Sequence, residues 1–156
     1  MRTGLVSISA LSLLLAGCAV VDVEEHYVDT QVVYDVGPAE TSLGLPFSKS
    51  VAVGDIIFLS GELGILSGEG LPVEGGAGPE TTQIFRNIER TLARHDAGLE
   101  DIVKCTVFLE DMADYAAMND AYRAALPEPM PARSTFGVDG IALGASLEIE
   151  CIAVKP

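Results

Sequence analysis

The sequence is short of positive charge. Its 156 residues include 9 lysines and arginines against 23 aspartates and glutamates, which gives a formal net charge of −14 at pH 7. An acidic surface repels the phosphate backbone of DNA and RNA, and no stretch interleaves basic with aromatic residues. The composition therefore argues against nucleic acid as a partner and favours solubility.

Metal ligands and cofactor motifs are equally scarce. The two histidines, His26 and His95, are far apart and neither lies beside a cysteine cluster, so the sequence indicates no metal site. It contains no Walker loop, no GxGxxG and no GxSxG. Of the three cysteines, Cys105 and Cys151 lie in apolar, strand-like runs. The pattern favours free buried thiols there, with a disulfide between them as the alternative.

No apolar run is long enough to span a bilayer, which takes about 20 residues. The chain instead opens with Met1 and Arg2, an apolar stretch over 5–15 and the sequence LAGC at 15–18. This order is typical of a secretion signal, and LAGC looks like a bacterial lipobox. We expect residues 1–17 to be a lipoprotein signal peptide and Cys18 to be lipidated, with an ordinary signal peptide as the alternative. Because Ala19 rather than aspartate follows, the expected location is the outer membrane, facing the periplasm.

Past the anchor, the pattern predicts a connector over residues 18–45, with one local strand at 30–36, and a domain over 46–156. In the domain, β-rich runs and runs of helical period alternate, separated by glycine and proline. We predict strands at 50–53, 56–60, 102–109, 133–138 and 147–154, and helices at 80–95 and 111–126.

The order ββαβαββ indicates an α+β sandwich: one sheet with two helices on one face. Alternation sends a mixture of polar and apolar side chains to the other face, which suits packing against further subunits. Those side chains are Lys104, Thr106, Phe108, Glu148, Glu150 and Ile152.

Arg133 and the two carboxylates Glu148 and Glu150 lie on the last two predicted strands. With Thr135 and Gly137 on the same side as Arg133, these groups could face a common region away from the helices. Three interpretations stay open: an edge-strand ion pair in solvent, an ion pair between subunits, and a site where Arg133 binds a substrate carboxylate while a glutamate handles a proton.

Three segments resemble the RidA (YjgF) family along residues 46–155, in element order and in motif spacing. They are PFSKSVAVGDIIFLSGELGI, NIERTLARHDAGLEDIVKCTVFLEDMADYAAMNDAY and PARSTFGVDGIALGASLEIECIAV. The resemblance implies a homotrimer of chorismate-mutase-like fold with clefts between adjacent subunits. Deaminating members hydrolyse enamine and imine forms of 2-amino acids to 2-oxo acids and ammonia, without a cofactor.

The resemblance also assigns roles to individual residues. It implies that Arg133 holds the substrate carboxylate and that Glu148 is associated with the attacking water. It places Thr135 and Gly61 where backbone meets substrate, and Asn119 where the second helix commonly has asparagine.

Two positions depart from the family pattern. Phe47 stands where a tyrosine often lines the pocket, and Glu62 replaces the glutamine usual after SG. A carboxylate at position 62 weakens the binding of an anionic substrate unless it is paired or turned away.

We therefore expect a lipoprotein-anchored deaminase of the 2-iminobutanoate/2-iminopropanoate type, with a small imino or 2-oxo acid as its ligand. The alternative is a non-catalytic trimer that binds small carboxylates in the cell envelope. A scaffold with vestigial clefts is a third option.

Overall fold

The computed structural model describes residues 30–38 and 44–156. The elements within them are β1 (Val32–Asp35), β2 (Ser50–Val53), β3 (Ile56–Leu59), α1 (Ala77–Ala93), β4 (Ile102–Leu109), α2 (Tyr115–Ala125), β5 (Ala132–Gly137) and β6 (Leu147–Val154). Short 3₁₀ turns at Leu99–Asp101, Met112–Asp114 and Ala142–Gly144 precede β4, α2 and β6.

These strands form one sheet in the order β1-β2-β3-β6-β4-β5. Strands β4 and β5 are parallel, because α2 carries the chain back between them, and the other neighbouring pairs are antiparallel. The helices pack on each other, with the Phe85 and Tyr122 rings edge to face at 5.1 Å. The predicted α+β fold, one mixed sheet with two helices, is confirmed.

The periodic side chains form the core between the helices and the sheet. Ile84, Ile88 and Leu92 of α1 are all buried, as their helical spacing predicts. Along β6 the residues at odd positions, from Leu147 to Ala153, are buried, while Glu148 and Glu150 point away from the core. Large apolar side chains remain exposed on the face without helices, among them Phe58 and Phe136, in agreement with the mixed face predicted from the sequence.

The strand expected inside the connector belongs to the sheet. In β1, Val32 pairs with Val53 of β2 and Asp35 pairs with Ser50. The sheet therefore begins before residue 46, where the domain was expected to start. Only the described part of the connector, residues 30–38 and 44–45, enters this comparison.

Both helix starts differ from the sequence-based expectation. Helix α1 begins at Ala77 rather than at residue 80, directly after Gly76, whose φ of 77° takes the chain out of the preceding loop. The segment after Asp111 begins as a 3₁₀ turn, in which Asp111 Oδ1 accepts a hydrogen bond from the Ala113 amide, and α-helix starts only at Tyr115.

The expectation of free thiols is wrong. Cys105 of β4 and Cys151 of β6 are direct cross-strand partners, with Cα atoms 4.1 Å apart, and the structure joins them in a disulfide. Both residues are buried. Apolar flanks suit a free thiol and a disulfide equally well, and only the register of β4 against β6 shows that the two residues meet.

No helix in residues 30–38 and 44–156 is long and apolar enough to cross a membrane. Cys18, the residue expected to be lipidated, and residues 1–17, the expected signal peptide, lie outside the described residues.

Candidate active site

Arg133 lies near the start of β5 and is held by side chains of α2. Its Nη2 donates to Asn119 Oδ1 at 2.6 Å and to the Tyr115 hydroxyl at 3.3 Å. The guanidinium carbon lies 4.6 Å from the centroid of the Tyr122 ring, a cation–π contact. The structure thus brings together two of the predicted site residues, Arg133 and Asn119, and fixes the plane of the guanidinium.

Thr135 follows on the same side of β5, since it pairs with the buried Val107. Its Oγ1 and the Tyr122 hydroxyl are buried side-chain atoms without a hydrogen-bond partner among the described residues. Burial raises the pKa of Tyr122, against an opposing effect of Arg133, so this phenol stays protonated at neutral pH. The helix-facing side of β5 therefore presents a guanidinium beside neutral hydroxyl groups.

Arg133 and Glu148 lie on opposite faces of the sheet. Arg133 pairs with Cys105, which faces the helices, whereas Glu148 pairs with Phe108 on the other face. The expectation that Arg133, Thr135 and Gly137 share a region with Glu148 and Glu150 away from the helices is therefore wrong within one chain. Alternation within each strand can be read from the sequence, but the face on which a side chain lies depends on the register of β4 against β5 and β6.

Glu148 lies against Gly61 instead. An ideal Cβ built on Gly61 would lie 1.6 Å from Glu148 Oε1, so any side chain at position 61 would displace the carboxylate. The close approach follows from strand pairing, because the Glu62 amide donates to the Ile149 carbonyl at 2.9 Å and the Ile149 amide donates back at 3.1 Å. Two predicted site residues, Gly61 and Glu148, are thus brought into contact.

The environment of Glu148 favours its protonated form. Partial burial raises the pKa of this carboxyl, and the nearby carboxylates of Glu150 and Glu62 raise it further. A glutamate whose pKa is shifted toward neutrality accepts a proton from water more readily than an ordinary surface glutamate. This property is what a group that activates water requires.

Glu62, which departs from the pattern of the family that the sequence resembles, forms an ion pair. Its Oε2 lies 2.5 Å from Lys49 Nζ, and its Oε1 accepts a hydrogen bond from Asn87 Nδ2 at 3.1 Å. Both side chains of the ion pair are largely buried. The carboxylate that position 62 adds therefore has a cationic partner in Lys49.

Phe47 and Gly61 line one pocket of about 460 Å³. It continues from these two predicted site residues past Glu62 to the exposed side of α1. Phe47 is 47% exposed, so its ring forms an open wall of the pocket in a single chain.

Sequence reasoning missed four residues that support these groups: Lys49, Asn87, Tyr115 and Tyr122. A signal for Lys49 was present, because the Gly54-Asp55 hairpin places Lys49 opposite Ser60, two residues before Glu62. Asn87 lies on α1 and the two tyrosines lie on α2. The residues that they contact can be identified only once the packing of these helices is known.

No group of three or more histidine, cysteine, aspartate or glutamate side chains in residues 30–38 and 44–156 is arranged to hold a metal ion.

Comparison with known proteins places the chain in a family. A family model described as Endoribonuclease L-PSP matches residues 40–155. The chain is 37% identical over 115 residues to Reactive Intermediate Deaminase A, chloroplastic, of Arabidopsis thaliana, and this match covers 74% of the chain but only 61% of that relative. It is 36% identical over 110 residues to 2-iminobutanoate/2-iminopropanoate deaminase of Capra hircus, covering 70% of the chain and 80% of the relative.

Solved structures give the same result. RidA from an Antarctic Psychrobacter species matches with a TM-score of 0.67 and 34% identity, covering 70% of this chain and 88% of that one. Yeast Mmf1 matches with a TM-score of 0.68 and 32% identity, covering 72% of this chain and 89% of the other. In sequence and in fold, the chain belongs to the RidA (YjgF) family, whose model is described as Endoribonuclease L-PSP.

Proposed function

We propose that the protein hydrolyses imine forms of 2-amino acids to 2-oxo acids and ammonia, in a cleft between two subunits of a homotrimer. One subunit supplies Glu148, Gly61 and Phe47, and its neighbour supplies Arg133, Asn119 and Thr135. The observation that carries this proposal is that two functional groups have fixed positions on opposite faces of one sheet. Arg133 is held by a hydrogen bond to Asn119, and Glu148 lies in contact with Gly61. Groups arranged in this way can act on one substrate only when a second copy of the chain completes the site.

The face without helices supports association with further copies. Phe58 is 44% exposed and Phe136 is 54% exposed on it, beside the charged residues Lys104 and Glu150. Apolar side chains on a sheet face gain free energy when another surface covers them. A trimer built through this face would bring Glu148 to a subunit boundary.

In the proposed reaction, Arg133 binds the substrate carboxylate and so fixes the imine carbon in front of Glu148. The Glu148 carboxylate takes a proton from water as the water oxygen bonds to the imine carbon, and the C=N electron pair moves to the nitrogen, which takes a proton from solvent. In the resulting 2-amino-2-hydroxy acid, Glu148 passes its proton to the amino nitrogen. The C–N bond then breaks and ammonia leaves, while the hydroxyl proton is lost to solvent as the carbonyl forms. One water is consumed, one ammonia is released and Glu148 returns to its ionised form, so no redox partner is needed.

Two residues favour the alternative, a non-catalytic trimer: Phe47 and Glu62. The pairing of Glu62 with Lys49 and its hydrogen bond from Asn87 weaken the argument from Glu62, because a paired carboxylate repels an anionic substrate less than an unpaired one. Compared with the tyrosine of the family pattern, Phe47 keeps the aromatic ring that lines the pocket and lacks only the hydroxyl group. An RNA substrate, which the family description suggests, is disfavoured by the net charge of −14.

The proposal includes a location in the bacterial cell envelope, with Cys18 as a lipid anchor and the domain facing the periplasm. Its support is the LAGC sequence at 15–18. Radiolabelled palmitate should label the full-length protein expressed in bacteria but not a Cys18→Ser variant. Labelling of both proteins, or of neither, would contradict the anchor without touching the proposed reaction.

The activity is tested by supplying the purified protein with imines that an amino-acid oxidase generates in place. Release of the 2-oxo acid should be faster than in buffer, and Arg133→Ala should lower kcat/KM roughly 30- to 160-fold, the equivalent of about 2–3 kcal/mol for a lost charge-assisted contact. Arg123→Ala, at an exposed arginine of α2, is the matched control and should retain activity. No acceleration over buffer, or full activity in Arg133→Ala, would refute the proposal.

A further inference from the structure

The pocket behind Gly61 is larger than the smallest imino acids need. Its volume is about 460 Å³, within the range of roughly 300–1,000 Å³ that is usual for sites of larger small molecules. A substrate with a methyl or ethyl side chain would leave most of it unfilled. Apolar side chains, among them Phe47, Leu63 and Ile65, form part of its wall.

Five charged side chains line the same pocket. They are Lys49, Arg90, Arg94, Glu62 and Glu69. Two of the cations already face a carboxylate: Lys49 contacts Glu62, and Arg94 donates to Asp35 Oδ2 at 2.7 Å from Nε and lies 2.6 Å from it through Nη2. Glu69 lies in an exposed stretch of the loop before α1, where water screens its charge.

Arg90 differs from the other two cations. The partner that the structure gives its guanidinium is a neutral one, the amide oxygen of Asn87. In the described part of the chain, no carboxylate forms an ion pair with it. Arg90 can therefore offer its remaining donors to an anion in the pocket.

Asn87 connects Arg90 to the segment that follows Gly61. Asn87 donates to Glu62 Oε1, to the Leu63 carbonyl at 3.1 Å and to the Ile65 carbonyl at 2.9 Å, while its own oxygen accepts from Arg90. Two side-chain contacts thus separate the Arg90 guanidinium from the Glu62 carboxylate, next to Gly61. Gly61 and Arg90 therefore line one pocket at different places.

We propose, resting on the proposed function, that this pocket receives the substrate side chain and that Arg90 binds a carboxylate at its end. The preferred substrates are then imino acids derived from dicarboxylic 2-amino acids, rather than the imines of alanine or 2-aminobutyrate. The ion pair between Lys49 and Glu62 allows this preference, because an unpaired Glu62 would repel the second carboxylate. Reactions that feed the protein would be oxidations of acidic amino acids at their α-carbon.

The test compares two imines of similar length, from glutamate and from methionine, each generated in place by an amino-acid oxidase. The measured quantity is the ratio of kcat/KM for the glutamate imine to kcat/KM for the methionine imine, determined on the full-length protein. The ratio should exceed one and should fall by about tenfold in Arg90→Gln, as expected for the loss of a charge-assisted hydrogen bond. Arg90→Lys, which keeps the charge but not the fork geometry, should restore part of the ratio.

Arg86→Gln, at an exposed arginine on the same helix that does not line the pocket, is the matched control and should leave the ratio unchanged. Because Arg90 is exposed, its replacement should not unfold the protein, and equal melting temperatures would establish this. If both imines are hydrolysed and Arg90→Gln leaves the ratio unchanged, the substrate class is wrong while the deaminase proposal stands. If neither imine is hydrolysed, the deaminase proposal is wrong, and so is the substrate class inferred from it.

Discussion

The Glu148 carboxylate occupies the space where a side chain on Gly61 would begin, with Glu148 Oε1 1.6 Å from the ideal Cβ position of Gly61. Glycine at this position is therefore a requirement of the site, not of backbone conformation. The contact also places Glu148 beside a strand-like segment whose backbone is held by Ile149. The position of the proposed water-activating group thus depends on one missing methyl group.

Gly61→Ala should abolish most of the imine-hydrolysing activity, because the new methyl displaces Glu148 from its place over the backbone. Overpacking of this kind also destabilises a fold, by about 1–3 kcal/mol. Steady-state kinetics and urea denaturation measure the two effects. Gly78→Ala is the control, since an added Cβ there meets its nearest atom at 3.8 Å; equal activity in Gly61→Ala and wild type would contradict the assigned geometry.

Glu62→Gln should move the acidic limb of the pH–kcat/KM profile to lower pH. Burial and the Glu150 and Glu62 carboxylates raise the pKa of Glu148, so removing the Glu62 charge lets Glu148 ionise at lower pH. Glu89→Gln, at an exposed position of α1, should leave the limb in place. If the acidic limb of the pH–kcat/KM profile is unchanged in Glu62→Gln, or moves to higher pH, Glu148 is not the titrating base.

Glu148→Gln should stabilise the ligand-free protein at pH 8 relative to wild type, and this advantage should shrink toward pH 4. The raised pKa of Glu148 means that the folded state holds the proton more tightly than the unfolded state. Wild type therefore has that contribution to stability below the ordinary glutamate pKa and loses it as the pH rises through the folded-state pKa. Melting temperatures of both proteins across this range test the sign, and a difference that grows toward acid pH would contradict it.

The double substitution Cys105→Ala/Cys151→Ala should lower the free energy of unfolding by about 2–4 kcal/mol, the scale expected for opening a loop of this size. The two cysteines are 46 residues apart in the sequence. Denaturation of wild type should become easier in dithiothreitol, whereas the double variant should not respond to the reductant. Equal reductant sensitivity in both proteins would mean that the bond between Cys105 and Cys151 does not account for the effect.

Much of the fold follows from local patterns. The spacing of Ile84, Ile88 and Leu92 gives α1, alternation from Leu147 to Ala153 gives β6, and Gly54 with Asp55 gives the hairpin of β2 and β3. The predicted starts of the helices were less accurate, because contacts with neighbouring segments determine where a glycine-rich loop or a 3₁₀ turn gives way to α-helix. The disulfide was missed for a related reason, since identical apolar surroundings suit either state of a cysteine.

The chemical groups of the site can be read from the amino-acid sequence: an arginine, a glutamate, a close-approach glycine and an added carboxylate at position 62. Their arrangement follows from the way the strands and helices pack. The register of β4 with β5 and β6 puts Arg133 and Glu148 on opposite faces. The packing of α1 on the loop after β3 brings Asn87 to Glu62, whose ion-pair partner Lys49 is placed by the β2–β3 hairpin. The physical reason is that side-chain direction within a strand follows from local alternation, whereas which strands and helices face one another depends on contacts between residues far apart in the chain.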